Sequence, residues 1–246
     1  MTKHVSLYPL TGLPLVVSGD NIAELIIRAC FKEGIVLEDN DIIVIAQKIV
    51  SKAENAVVDL KTITPSPEAE ELAGKTGRDA RLVQVYLNES SELLYTKGRM
   101  IITRHKLGFI MSSSGVDRSN IASHKDEIVV LLPKNPDRSA QDIMNGIHGV
   151  THKDVAVIIN DSDGRPDREG SVGIAIGLAG ISALEIRSQH DLFGNASNSQ
   201  IALVDELAAA ASVLMGQGDE KIPVVIIRGV NYTRSDEAKI IDILGG

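Results

Sequence analysis

The chain carries a single cysteine, Cys30, and no tryptophan. One thiol cannot close an internal disulfide, and it cannot build a thiolate zinc site. Cys30 falls on an apolar helical face and reads as a small core residue. Aromatic residues make up only 3% of the chain, so its core has to be assembled from Ile, Val, Leu and Ala. No apolar run approaches the ~20 residues of a membrane span. The N-terminal stretch Met1-Thr-Lys-His-Val-Ser lacks the apolar segment of a secretory signal. A cytoplasmic protein with no membrane partner is therefore expected. Positive charge is scarce as well. With 25 Lys and Arg against 33 Asp and Glu, the net charge is −8 and the pI is near 5.3. That balance argues against a nucleic-acid partner. An anionic substrate would have to be met by local cations, not by the overall field.

Several motifs are missing too. There is no Gly-x-x-x-x-Gly-Lys-Ser/Thr loop and no Gly-x-Gly-x-x-Gly after a strand, so neither a P-loop nor a Rossmann frame is encoded. The histidines, His4, His105, His124, His148, His152 and His190, form no H-E-x-x-H motif. His105 lies between Arg104 and Lys106, which favours its neutral form. A Gly-x-Ser-x-Gly elbow is absent, which disfavours serine nucleophilic catalysis.

What is present is a chain of 246 residues, 43% of them apolar, enough for one large domain or two intertwined subdomains. Short β-branched runs predict strands at residues 5–8, 42–46, 127–132, 155–159 and 223–227. The Gly-rich stretch Val172-Gly-Ile-Ala-Ile-Gly-Leu-Ala-Gly180 reads as a strand approached closely by a neighbour or a ligand. Helical spacing marks residues 21–32, capped by Asp20, then a helical insertion over about 64–95, an Ala-rich helix over 200–215, and a final amphipathic helix over 234–244. Met100 to Met111 reads as two short strands with a turn near Lys106–Gly108. Strands and helices alternate without a βαβ rhythm, so the expected class is α+β, with mixed sheets and long functional loops.

The stretch Val155-Ala-Val-Ile-Ile-Asn-Asp-Ser-Asp-Gly-Arg-Pro-Asp-Arg-Glu-Gly170 stands out. It is a buried strand that runs into Asp161, Ser162 and Asp163, a hard oxygen set of the kind Mg²⁺ or Mn²⁺ prefers. Arg165 and Arg168 follow, and guanidinium forks bind carboxylate or phosphate. The same residues also suit a plain Asp-Gly turn. Four loops carry similar double readings. Gly12-Leu-Pro-Leu15 is either a rigid turn or a seat for a nucleotide. Gln47 and Lys48 with Lys52 are either a solvated strand end or a polyphosphate site. Gly115-Val-Asp-Arg-Ser-Asn120, after Ser112, Ser113 and Ser114, is either an Asx turn or a place where Asp117 binds metal and Asn120 a phosphate or base. Met215-Gly-Gln-Gly-Asp-Glu-Lys-Ile222 is a helix stop or a loop over a ligand.

Taken in order, Gly12-Leu-Pro14, Ile49-Val-Ser-Lys-Ala-Glu54, Gly115 to Asn120, Leu131-Leu-Pro133 with Pro136-Asp137, Ile158-Ile-Asn-Asp-Ser162 with Gly164-Arg165, and Asp205-Glu206 with Met215-Gly-Gln-Gly218 resemble the coenzyme F420-0:L-glutamate ligase family. The likeness runs from about Leu7 to Val230. It implies one catalytic domain over 1–246 and a GTP-dependent amide ligase that adds L-glutamate in γ-linkage to the carboxylate tail of a deazaflavin, F420-0. It also implies Mg²⁺ or Mn²⁺, K⁺ and a homodimer. By that resemblance Leu13, Pro14 and Leu15 lie against GTP, and Gln47, Lys48 and Lys52 lie near its phosphates. Asn120 contacts the nucleotide. Met215, Gly216, Gln217, Gly218, Asp219, Glu220, Lys221 and Ile222 close over it. Asp117, Asp161, Ser162 and Gln217 would hold metal. The family often has Thr-Asp-Thr at 160–162 and, in some members, Glu at 217. Ser162 keeps the hydroxyl, whereas Gln217 removes a charge.

The implied chemistry is phosphoryl transfer to the acceptor carboxylate, with an acyl phosphate as intermediate and Lys48 and Lys52 offsetting charge. Arg165 is assigned to a substrate carboxylate by residue type. Three alternatives come from the same residues. They are a ligase of this fold with another acceptor or amino acid, a metal-dependent nucleotide phosphohydrolase, and a binding module without turnover.

Overall fold

Five of the β-branched and Gly-rich runs line up as one sheet, and most of the fold follows from that sheet. The structure is a computed structural model and describes residues 4–118, 127–165 and 167–245. In chain order its elements are β1 (Ser6–Leu10), α1 (Ile22–Glu33), β2 (Ile42–Ala46), α2 (Gln47–Ala53), β3 (Val57–Asp59), α3 (Pro67–Thr76), α4 (Ala80–Glu89), β4 (Ser90–Lys97), β5 (Met100–His105), β6 (Ile110–Ser112), β7 (Ile128–Val130), α5 (Pro136–Thr151), β8 (Ala156–Gly164), β9 (Ser171–Ala179), β10 (Glu185–His190), β11 (Ala196–Ile201), α6 (Leu203–Met215) and β12 (Val224–Arg228). The class is α+β.

The main sheet has the order β1-β12-β2-β8-β9. Only β2 and β8 run parallel, with Ile42 opposite Ala156 and Ala46 opposite Asn160. The other pairs are antiparallel. Central strands buried on both faces need unbroken apolar runs, and Ile42 to Ile45 and Ala156 to Ile159 are all fully buried. Pro9 has no N–H to give, and it sits in β1 at the edge of the sheet, where that loss is tolerated.

Helices α5 and α6 both pack on β9, and glycine lets them come close. A Cβ on Gly173 would lie 2.7 Å from the Ala208 carbonyl oxygen of α6, and one on Gly177 would lie 2.5 Å from Pro136 of α5. Two carboxylates fasten the same contacts. Asp205 accepts the Ala175 N–H at 2.9 Å and Asp137 accepts the Leu178 N–H at 2.9 Å. The Gly-rich strand thus marks close approach by helices.

A second group of buried side chains, including Leu60, Leu72, Val83, Tyr86, Ile101 and Val129, gathers α3, α4 and the small sheets β3-β7 and β4-β5-β6. The expected helical insertion ends at Glu89, because residues 90–97 form β4, paired with β5. The last helix is also different. Only Ile240–Ile243 turns, as a 3-10 helix. The Ile240 N–H is taken by the Asp137 carboxylate and the Lys239 N–H by Asp242, so side chains compete with a helical ladder. At α1 the cap is Asn21, which accepts from the Glu24 N–H, while Asp20 accepts from the Val17 N–H. The hairpin β10-β11 was not expected, since its mostly polar residues show no alternation.

Cys30 is buried, and burial together with Glu33 and Asp41 pushes its thiol up to about 11, which keeps it inert. His105 is also buried. Its Nδ1 accepts the Leu107 N–H at 2.9 Å, and burial, aided by Lys106, pushes it down to about 4. Asp41 is fully enclosed. Arg228 grips it with Nε to Oδ1 and Nη2 to Oδ2, both at 2.7 Å, and lies 5.3 Å from the Tyr8 ring centre.

Two tests follow. Replacing Arg228→Met leaves Asp41 charged, buried and unpaired. Stability should fall by about 3–5 kcal/mol in urea unfolding, with partial recovery in the Asp41→Asn/Arg228→Met double variant. His105 must stay neutral in the fold, and its folded pKa lies below its unfolded value. Its contribution is complete above about pH 6.5 and declines as pH falls toward 4, by on the order of 3 kcal/mol. Urea midpoints of His105→Asn should show a flatter slope than wild type across that window.

Candidate active site

Strand register alone brings the predicted loops together. Leu10 pairs with Val224, Val224 with Ile45, and Ile45 with Ile159. One step past that row lie the loop after β1, the loop before β12, the start of α2 and the end of β8. The Ala46 N–H donates to the Pro223 carbonyl at 2.8 Å, and the Gly19 N–H to the Ala53 carbonyl at 2.9 Å. The loop holding Leu13, Pro14 and Leu15 is thereby tied to the end of α2. Leu13 packs on the core, while Leu15 stays exposed.

Lys48 and Lys52 stand one turn apart on α2. The Lys48 ammonium is 2.8 Å from Asp117 Oδ2. Asp117 reaches this place because it bridges to Val130 of β7 and follows a tight turn in which Ser113, Ser114 and Gly115 all have positive φ. A Cβ on Gly115 would meet Leu132 at 2.8 Å, so the turn requires glycine twice over. Ser114 is fully buried and donates to the Tyr86 carbonyl at 2.8 Å. That serine braces the turn and is not open to an anion.

Asp161, at the end of β8, is pushed up to about 7. Burial is the main cause, and the neighbouring charges of Asp117 and Asp163 add to it. The Ser162 N–H and Lys48 pull the other way. Burial and the Lys48 charge also lower Lys52, offset in part by Asp117. Lys48, Lys52, Asp117 and Asp161 therefore share one electrostatic site, although they come from three distant segments.

The geometry adds detail at two positions. Alternate side chains on a strand face opposite ways, so Asp163 and not Ser162 shares the face of Asp161. Burial raises Asp163, and the N–H groups of Ser112 and Gly164 and the charge of Arg165 lower it. Gln47 is buried, and its amide nitrogen donates to Ser51 Oγ at 2.6 Å and the Leu131 carbonyl at 2.8 Å. Gln47 thereby ties α2 to the chain after β7.

The 215–222 loop leaves α6 beside Asn160. The Asn160 amide donates to Ser212 Oγ at 2.9 Å and to Met215 sulfur at 3.3 Å. Gly216 closes α6 by donating to the Ser212 carbonyl at 3.1 Å. N–H groups of Gln217, Gly218 and Glu220 turn onto the Glu220 carboxylate and hold it low. The loop amides can thus bind an anion. Gln217, Gly218, Asp219 and Lys221 are exposed, and Ile222 packs on the core. Asn120 lies outside the described residues.

Among the described residues no three His, Cys, Asp or Glu side chains gather to hold a metal ion. Two carboxylates can still suffice for Mg²⁺, which takes most of its shell from waters and substrate phosphates. The mutual repulsion of Asp117 and Asp161 is the feature a divalent cation would relieve. The oxygen donor set fits such an ion.

Comparisons with known proteins agree with this frame. Residues 12–229 match the family model described as F420-0:Gamma-glutamyl ligase. The coenzyme F420:L-glutamate ligase of Methanothermobacter thermautotrophicus is 45% identical over 236 residues, 94% of this chain and 92% of that protein. The protein of the same name from Methanocaldococcus jannaschii is 48% identical over 223 residues, 89% and 86% of the two chains. That of Archaeoglobus fulgidus is 37% identical over 249 residues, 97% and 96%. With the lysine–carboxylate site inside the matched region and relatives this similar over nearly the whole length, the chain belongs to the F420-0:gamma-glutamyl ligase family.

Proposed function

We propose that this protein is an amide ligase that joins L-glutamate, in γ-linkage, to the carboxylate tail of F420-0, driven by GTP. Its relatives carry the name of glutamate-adding ligases, which supports the reaction class. The observation that carries the reading is the Lys48–Asp117 pair set against Asp161, with Lys52 behind it. Phosphoryl transfer needs positioning and charge compensation more than covalent chemistry. In this reading Lys48 and Lys52 draw the triphosphate to the sheet edge and offset its charge. The loop from Met215 to Ile222 covers it with backbone N–H groups, and Leu13, Pro14 and Leu15 flank the base. Asp117 and Asp161 would hold Mg²⁺ or Mn²⁺, which when bound neutralises phosphate charge. The γ-phosphoryl passes to the acceptor carboxylate, the glutamate amine attacks the acyl phosphate, and phosphate leaves. Arg165 steadies a substrate carboxylate. Activation by K⁺ and a homodimer belong to the same proposal.

The test is incubation with GTP, Mn²⁺, L-glutamate and F420-0, followed by mass spectrometry. GDP and glutamylated acceptor should form together. GDP formation without acceptor would instead assign a nucleotide phosphohydrolase. Asp161→Asn should cut kcat by on the order of 100-fold while the fold persists, and Lys48→Met should weaken nucleotide binding, read as a higher KM for GTP.

A further inference from the structure

Beyond the lysine–carboxylate site, β8 continues outward into its hairpin with β9, where Gly164 pairs with Ser171. The tip of this hairpin faces the tip of another, β4-β5. Between them lies an open cleft of about 690 Å³. That is within the ~300–1,000 Å³ of small-molecule sites and far more than a free amino acid fills. Its walls include Arg165 and Arg168 from one hairpin and Lys97 and Met100 from the other, with Ser171 at the rim. Asp167 and Glu169 also line it, so cations exceed anions there by one in a chain that is strongly acidic overall.

We infer that this cleft seats the flat ring system of the acceptor and its adjoining anionic linker, with Lys97 and Arg168 as binding residues that the reaction itself does not need. The inference rests on the proposed function. Three observations lead to it. First, the cleft lies on the same strand as Asp161, and a strand advances about 3.3 Å per residue. Gly164 and Arg165 are therefore about 10–13 Å beyond the phosphoryl site, a distance spanned by an extended acceptor whose carboxylate tail reaches Asp161. Second, the Nε of Arg165 is buried and has no hydrogen-bond partner among the described residues. A buried donor of this kind is stabilised when a ligand acceptor meets it. Third, no aromatic side chain is among the described residues that line the cleft, so a flat ring there would pack on other groups. Guanidinium planes and a methionine thioether are the groups that take that role in their absence, and Arg165, Arg168 and Met100 are present.

The test uses F420-0, whose deazaflavin fluorescence reports binding directly. It is titrated into wild type, Lys97→Ala, Arg168→Ala and Ser171→Trp, the last adding bulk at the rim. GTP affinity and the glutamate KM are measured alongside. We expect F420-0 affinity to fall about tenfold in each variant, the scale of one lost charged contact or a blocked cleft, with GTP affinity and glutamate KM unchanged. Full F420-0 affinity in all three variants, or a rise in glutamate KM alone, would overturn the assignment. If wild type itself neither binds nor glutamylates F420-0, the proposed reaction fails; if wild type does both and the variants match it, only the cleft assignment fails.

Discussion

The parallel ladder between β2 and β8 is the constraint on which the site depends. Parallel strands end at the same side of a sheet, so Ala46 and Asn160 finish next to each other. The chain leaves one into α2, carrying Lys48 and Lys52, and the other into Asp161. Antiparallel β12 and β1 then bring a loop entry and a loop exit to the same side. A slip of one residue in the β2–β8 register would turn every side chain of one strand over. That would turn Asp161 away from Lys48. The apolar runs flanking the ladder hold it in place, because both faces of these strands are sealed from water.

Much of this was legible beforehand, for a physical reason. Runs such as Ile42 to Ile45 and Ala156 to Ile159 have little choice but to become buried strands, and polar residues at their ends mark where solvent begins. Asp117 and Asp161 were singled out through the pattern shared with a family, and the fold brings them into one electrostatic neighbourhood. What failed was whatever tertiary contacts decided. Residues 90–97 carry no clear alternation, and pairing with β5 makes them a strand. Residues 234–244 have helical spacing, yet Asp137 and Asp242 capture their amides. Gln47 is polar and follows a strand, the usual sign of exposure, but Ser51 and Leu131 draw its amide inward. Ser162 and Asp163 lie on opposite sides of the pleat, which the sequence alone does not display. Lys97 gave no signal, since its place beside Arg165 and Arg168 arises only when two hairpin tips face each other.

The acidic composition and the proposed anionic substrates are reconciled locally. Carboxylates at Asp137 and Asp205 are turned inward to fasten β9, where backbone N–H groups satisfy them. Asp41 is enclosed with Arg228. Several negative charges are thus consumed in holding the scaffold, whereas Lys48 and Lys52 are gathered on one helical face at the sheet edge. Net charge describes the whole surface and is a poor guide to the field at a single edge.

Strand β12 lies between β1 and β2, so the sheet joins the chain's first strand to its second through its last. Until residues 224–228 insert, Ser6 to Leu10 have no neighbour in the sheet, and the loop after β1 has no fixed position. Contacts between such distant parts of a chain form slowly, because long loops must close first. The loop that carries Leu13, Pro14 and Leu15 therefore depends on residues 224–228 for its place, whereas Lys48, Lys52, Asp117 and Asp161 are set by β2, β7 and β8.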